Sequence, residues 1–229
     1  MKIALIGKGK TGGEILNLHS KKEIEIFDSK NPVTKNKLKK CDIAIAFVTS
    51  EILQQIYPIL IESRIPLVSG VTGFDWSNEK RNQLTNEKLT WISGSNFSLG
   101  MRVIHQMIKK LNFSMNLFDQ YDLNIHEIHH AKKLDAPSGT ALSWNQWLNE
   151  NANITHERVG DVVGDHTVTL TTHHEVIRLQ HKALNRKVFA KGALWAANYL
   201  IQNKNELNYG LHFFEDITEK LIKEYSDEL

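Results

Sequence analysis

The feature that most constrains this chain is an alternation running through its first hundred residues. Short β-rich apolar runs, KIALIG (2–7), EIEIFD (23–28), DIAIAFV (42–48), PLVSGV (66–71) and TWISGS (90–95), are separated by stretches in which apolar residues recur every three or four positions. Ile52, Ile56, Ile59 and Leu60 form one such set, and residues 13–20 hold another. A period of two that gives way repeatedly to a period near 3.6 marks strands crossed by helices. Parallel strands need helical crossovers of this kind, so the alternation predicts an α/β fold with a doubly wound parallel sheet. Between residues 29 and 41, Pro32 and the KNKLKK run leave little apolar periodicity, which predicts only a brief helix there.

GKGKTGGE follows the first strand and opens the first helix, so Gly7, Gly9 and Gly12 spell G-x-G-x-x-G in the context that gives the pattern meaning. The first glycine permits a tight turn, the second lets backbone N–H groups approach a pyrophosphate, and the third allows the helix to pack closely on the strand. The helix N-terminus adds positive partial charge for the phosphates. Lys8, Lys10 and Thr11 complete the loop, and Asp28 closes the second strand, where an acidic side chain accepts hydrogen bonds from an adenosine ribose. These features predict a Rossmann-type dinucleotide-binding domain using NADH, NADPH or both. Asp28 favours the free 2'-hydroxyl of NADH and nearby Lys30 favours the 2'-phosphate of NADPH; the balance tips slightly to NADH. Ligands of open parallel sheets sit beyond the carboxyl ends of the strands. Gly70, Val71 and Thr72 in SGVTGF and Gly94, Ser95, Asn96 and Phe97 in SGSNFS are therefore candidates for the nicotinamide end, although an ordinary strand-to-helix turn has the same spacing.

After about residue 98 the pattern changes. LGMRVIHQMIKKL (99–111) is an amphipathic helix, YDLNIHEIHH a strand, and SGTALSWNQWLNE a helix with Trp144, Trp147 and Leu148 on one side. Residues 166–191 read as at least two strands, HTVTLTTHHEVIRLQHKA and RKVFAKG, followed by a helix from about Gly192 to Gln202 and a short terminal helix in ITEKLIKEYSDEL. Strands joined without intervening helices imply an antiparallel or mixed sheet, so this half is expected to be a separate α+β domain.

Bulk properties exclude more than they select. With 28 basic and 26 acidic residues and no long run of one sign, the chain has neither a nucleic-acid arm nor a membrane-facing patch. Cys41 is the single cysteine, which rules out an intrachain disulfide and a cysteine-based zinc site and suits a reducing, cytoplasmic location. The apolar run near the N-terminus is too short for a signal-peptide core or a membrane span. Hydrophobic residues make up 41% of the chain, enough for a core in one large domain or two modest ones.

The segment EIHHAKKLDAPSGTA (127–141) concentrates the titratable groups. In ordinary structural terms, Ala136-Pro137 disfavours helix before a turn and Ser138 is a good N-cap. A metal reading would take His126, His129 and His130 with His173 and His174, but no H-E-x-x-H spacing and no cysteine ligand support it. A catalytic reading uses the groups differently. A histidine that exchanges a proton near neutral pH, beside a lysine, suits protonation of a substrate that has just received hydride. Ser138, Gly139 and Thr140 then start a helix whose free N–H groups would hold a carboxylate. Asp135 stands where it could orient Lys133 or the turn backbone.

The G-x-G-x-x-G start, the G-x-T-G and N-F-S loops, and above all E-x-H-H-x-x-K-x-D-A-P-S-G-T-A resemble the dihydrodipicolinate reductase (4-hydroxy-tetrahydrodipicolinate reductase) family of lysine and diaminopimelate biosynthesis. VGDHTVTL, QHKALNRKVFAKGALWAA and YGLHFFEDITEKL extend the resemblance nearly end to end. It implies a dinucleotide-binding domain at 1–98 completed by 208–229, and a substrate-binding domain at 99–207 whose mixed sheet assembles a homotetramer. It also implies NAD(P)H-dependent reduction of a cyclic dicarboxylate, with domain closure assembling the site. His129 takes the role of catalytic acid/base and Lys133 that of proton donor, while His130, Ser138, Gly139 and Thr140 contact substrate. Arg186 matches a family arginine position. The residues Asp28-Ser29-Lys30, the compact loop after Gly9 and the short 29–41 region depart from the family pattern at the cofactor end. The D-A-P-S-G-T segment argues against a related NAD-dependent amino-acid dehydrogenase, and intact His129 and Lys133 argue against a non-catalytic nucleotide-binding protein.

Overall fold

The protein is described over residues 1–227 by a computed structural model. The chain divides into two compact units, one of residues 1–98 together with the C-terminal segment from Arg186, the other Leu99–Asn185.

In the first unit β1 (Ile3–Ile6), α1 (Lys10–Leu18), β2 (Ile24–Phe27), α2 (Lys35–Leu38), β3 (Ile43–Ala46), α3 (Ser50–Ser63), β4 (Leu67–Ser69), α4 (Asn78–Asn86) and β5 (Thr90–Ser93) alternate as the sequence predicts. The four-residue α2 is the brief helix expected between 29 and 41. The strands β1 and β3 are buried along their whole length, which is why they read as unbroken apolar runs. On one face Ala4, Ile6, Ala44 and Ala46 pack with Leu53, Tyr57 and Leu60 of α3. On the other, Ile3, Leu5, Ile43 and Ile45 pack with Ile15 of α1 and with a second helix described below.

The second unit contains α5 (Leu99–Ser114), β6 (Asp122–His129), α6 (Gly139–Leu148), β7 (Asn153–Arg158), β8 (Gly164–Thr171) and β9 (Val176–Ala183). Its sheet has the order β7-β6-β8-β9, with β6 and β7 parallel and the other pairs antiparallel, so it is mixed as expected. Helices α5 and α6 cover one face through Met101, Ile104, Ile108, Trp144 and Leu148, packed on Ile125 and Val168. The strand β7, NITHER, was not anticipated; only one of its residues, Ile154, joins that core.

The chain then returns to the first unit through α7 (Lys187–Gln202), β10 (Gly210–Phe213) and α8 (Phe214–Asp227). RKVFAKG, expected as a strand, is instead the start of α7. The reason lies in Ala190, Ala193, Ala196 and Ala197, a small-residue stripe at helical spacing that lets α7 lie on the sheet beside Ile3, Ile43 and Val68. A side chain at Gly192 would overlap the carbonyl of Phe97. Segment 186–207, expected with 99–185, therefore belongs to the first unit. Strand β10 adds in parallel beside β5, giving the six-stranded order β10-β5-β4-β3-β1-β2. The terminal helix expected in ITEKLIKEYSDEL is α8; Glu228 and Leu229, the last two residues of that stretch, lie outside the described residues.

Candidate active site

The sheet order places β1 between β2 and β3, so the chain reverses direction across the sheet at β1, and the loop leaving that strand is where an open α/β sheet takes a ligand. Gly7 has φ +89°, and a side chain there would strike Phe47 and Val48. At Gly12 a Cβ would overlap the carbonyl oxygen of Gly7. Gly9, by contrast, has nothing within 4 Å of its Cβ position. Two of the three glycines are thus required by the protein's own packing, while the space at Gly9 is open, as approach by a ligand requires. Gly9 is also the N-cap of α1 and supplies no side-chain cap, so the first N–H groups of the helix remain available to an anion.

Asp28 follows β2 and accepts hydrogen bonds from the N–H groups of Lys30 (2.9 Å) and Asn31 (3.0 Å) through Oδ1. Its other oxygen meets the Lys8 ammonium at 2.6 Å. The Lys8 interaction, helped by the two backbone donors, holds the carboxyl down at about 2. The cation paired with Asp28 is therefore Lys8, from the glycine loop, and not Lys30. Lys10 is exposed and Thr11 half-buried in the first turn of α1.

The two further loops differ in what they offer. Gly70 follows β4, and a side chain there would collide with the Phe47 ring. Val71 is buried and Thr72 exposed. After β5, Ser95 donates to Glu215 (3.2 Å) and Asn96 accepts from the Ser98 N–H (2.9 Å). The Phe97 side chain is in the core, edge-on to Phe47 at 6.1 Å between centroids and tilted on Phe214 at 4.8 Å. Only its backbone could serve a cofactor.

In the second unit the strand β6 carries Glu127 and His129 two positions apart, hence on one face, and that face is the buried one. Cross-strand register brings His166 of β8 opposite Glu127 and Arg158 of β7 opposite His129. Glu127 is fully buried, and its Oε1 accepts from the Ser138 N–H (2.9 Å) and Arg158 Nη2 (3.0 Å). Its Oε2 lies 3.1 Å from His129 Nδ1 and 3.5 Å from His166 Nε2, at ion-pair distance without hydrogen-bond alignment. Burial pushes the Glu127 carboxyl up, but the bonds from Ser138 and Arg158 outweigh it and leave the group below its ordinary value. His129 is lowered, by burial first, with Lys133 and Arg158 adding to that and Glu127 and Asp135 opposing it. Burial and the neighbouring His129 push His166 down to about 4. Glu127, His129 and His166 converge as a metal triad would, but the Arg158 guanidinium already supplies the countercharge to Glu127.

After β6, Lys133 Nζ donates to both carboxylate oxygens of Asp135 (2.8 and 2.9 Å), so the side-chain partner of that aspartate is Lys133. The Asp135 carbonyl in turn accepts from Arg158 Nη2 at 2.5 Å. Ser138 caps α6 as predicted, its hydroxyl accepting from the Ala141 N–H (3.2 Å) and meeting His166 Nε2 at 3.3 Å. Ser138 is thereby committed to protein partners. The N–H groups of Gly139 and Thr140 stand at the N-terminal end of the helix, where an anion is favoured. His130 is half-buried and Lys132 exposed. The other histidines do not gather at His129. His126 lies on the opposite face of β6, its Nδ1 2.9 Å from Thr155 Oγ1, and His173 and His174 follow the end of β8 that pairs with Asp122, seven residues from His129 along β6.

Sequence reasoning missed Glu127, Arg158 and His166 as members of this cluster. Glu127 was nonetheless legible: the i, i+2 rule alone puts it beside His129, and a carboxylate on the buried face of a strand needs a partner. The strand pairing that supplies those partners was not.

A glycine-loop nucleotide fold together with a unit carrying a buried histidine, a lysine and an exposed helix start is the arrangement of an NAD(P)H-dependent reductase. Residues 1–97 match the family described as Dihydrodipicolinate reductase, N-terminus, and residues 100–214 match Dihydrodipicolinate reductase, C-terminus. The 4-hydroxy-tetrahydrodipicolinate reductase of Thermosipho africanus is 32% identical over 224 residues, covering 95% of this chain and 97% of that protein. The same-named protein of Bdellovibrio bacteriovorus is 31% identical over 233 residues, covering 95% and 96%. Among solved structures, dipicolinate-bound dihydrodipicolinate reductase from Paenisporosarcina sp. TG-14 shares the fold with a TM-score of 0.71 at 21% identity, over 95% of this chain and 99% of that one. The chain belongs to the dihydrodipicolinate reductase family, the NAD(P)H-dependent reductases of the lysine and diaminopimelate pathway.

Proposed function

We propose that this protein reduces 4-hydroxy-tetrahydrodipicolinate, by way of dihydrodipicolinate, to tetrahydrodipicolinate, with His129 and Lys133 handling the protons. The observation that supports the residue roles is a buried histidine followed four residues on by a lysine that Asp135 holds, in the loop that leads to the N-terminus of α6. Bound NAD(P)H supplies the hydride. Gly7 to Gly12 and the start of α1 hold the pyrophosphate, Asp28 takes the adenosine ribose, and the backbone from Gly70 to Thr72 and from Gly94 to Phe97 borders the nicotinamide. Gly139 and Thr140 donate N–H groups to a substrate carboxylate, with His130 beside them. Lys133 is a charged donor kept in place by Asp135, and His129 delivers a proton to the atom that has gained electron density from the hydride.

The same reading includes a cytoplasmic homotetramer. Among the described residues no helix is long and apolar enough to cross a membrane, and the face of the four-stranded sheet opposite α5 and α6 presents Arg178, Gln180 and Lys182 exposed on β9. Light scattering after size exclusion tests the assembly. The function is tested by following NADH and NADPH absorbance with freshly generated substrate; turnover with at least one coenzyme is expected, and none with either would overturn it.

A further inference from the structure

Glu127 has no part in the proton chemistry described so far, yet it is the most thoroughly enclosed ionised group of the cluster, with no exposed side-chain surface. A buried carboxylate is costly unless it is paired and hydrogen-bonded, so its retention next to a proton donor calls for a reason. Its two oxygens are used differently. Oε1 is committed to the Ser138 N–H and to Arg158, which fixes the carboxylate plane. Oε2 lies 3.1 Å from His129 Nδ1 and 3.5 Å from His166 Nε2, at ion-pair distance without hydrogen-bond alignment.

We propose that Glu127, locked by Arg158 and Ser138, is the positioning residue that orients His129 and poises it as a proton donor. This rests on His129 having the role assigned above. An anionic oxygen beside Nδ1 favours the tautomer with hydrogen on that nitrogen, so the proton exchanged with substrate is carried on Nε2. Nε2 is the ring atom nearest Gly164, where an added Cβ would sit 3.2 Å from it and crowd the ring. The arrangement parallels the buried carboxylate that orients a catalytic imidazole in hydrolases, reached here through cross-strand pairing of β6, β7 and β8.

The charged and titratable groups around His129 act on it with opposite signs. Glu127 of β6 and Asp135 of the following loop favour its protonated form, while Arg158 of β7 and Lys133 of the loop disfavour it. His166 of β8, with its ring centroid 4.9 Å from that of His129, is neutral at physiological pH and adds no charge. Asp165 of β8 and His181 of β9 act on His166.

These signs separate a positioning role from a merely structural one. Glu127→Gln keeps the volume and removes the charge, so the alkaline limb of the kcat profile should move to lower pH by roughly one unit, with kcat down roughly 10²-fold and the NADH Kd unchanged. Arg158→Gln removes the opposing charge and should move the same limb to higher pH. Glu127→Asp, which restores the carboxylate, should return the limb toward its original position. Opposite displacements in the first two variants support the proposal; unshifted limbs, or displacements of the same sign, overturn it. Should Glu127→Gln not fold, the Arg158→Gln displacement decides alone. Absence of turnover in the unmodified enzyme would count against the assigned reaction and is told apart from these outcomes by that control.

Discussion

The Lys8 ammonium lies 2.6 Å from a carboxylate oxygen of Asp28, joining the glycine loop to the end of β2 where an adenosine ribose is expected. Because the Asp28 carboxyl is held down at about 2, it is ionised across the neutral range. Coenzyme choice then depends on which partner is removed. Asp28→Ala should raise the ratio of NADPH to NADH efficiency roughly tenfold, by loss of ribose hydrogen bonds and of repulsion toward a 2'-phosphate. Lys8→Ala should move the ratio the other way, since it leaves Asp28 uncompensated. Paired kcat/KM values for the two coenzymes measure both, and the ratios should not vary between pH 6 and pH 8 on account of Asp28.

His129→Gln and Lys133→Ala should each lower turnover by roughly 10²- to 10⁴-fold, the range typical of a lost proton-transfer group. Both residues lie in the second unit, whereas the glycine loop is in the first, so NADH affinity measured by fluorescence titration should stay near that of the unmodified protein. Loss of NADH binding in either variant would show that the segment has been given the wrong task.

Gly9 and Gly12 should fail in different ways when replaced by alanine. At Gly12 the new Cβ overlaps the Gly7 carbonyl, which forces α1 off β1 and should cost about 1–3 kcal/mol of stability. At Gly9 the Cβ meets nothing, so the melting temperature should hardly change while NADH binding weakens. Thermal melts with and without NADH separate the two. Equal destabilisation by both substitutions would mean that the loop is shaped for packing alone.

Stability should rise with pH between about 4 and 6.5, and His166 should account for part of it. The folded protein keeps His166 neutral down to about 4, whereas an unfolded histidine titrates near 6.5. Within that window the unfolded state binds a proton that the folded state does not, so folding is favoured as pH rises and the stabilisation is complete above the unfolded value. The contribution is on the order of 3 kcal/mol for a shift of this size. Urea titrations of the unmodified protein and of His166→Gln at several pH values should show a shallower dependence in the variant.

Most of the first unit could be read from sequence because its information is local. β1 and β3 are apolar along their length, and Gly7 to Gly12 stand at a strand-to-helix junction, both of which are visible within a few residues of sequence. Misreading RKVFAKG as a strand has the opposite cause. Val188 and Phe189 favour strand locally, and only the packing of Ala190, Ala193 and Ala197 on a sheet formed a hundred and more residues earlier makes the segment helical.

The alternating sheet, the glycine loop and the four-residue spacing of His129 and Lys133 were legible in the sequence, through periodicities and spacings that act within a few residues. Tertiary structure decided which cation meets Asp28, that α7 rejoins the first unit, and that Glu127, Arg158 and His166 surround His129. The physical reason is that charge pairing and strand register act through space. Residues 127, 158 and 166 become neighbours only when β7 and β8 add to the two edges of β6, and burial then turns their proximity into a force on the imidazole.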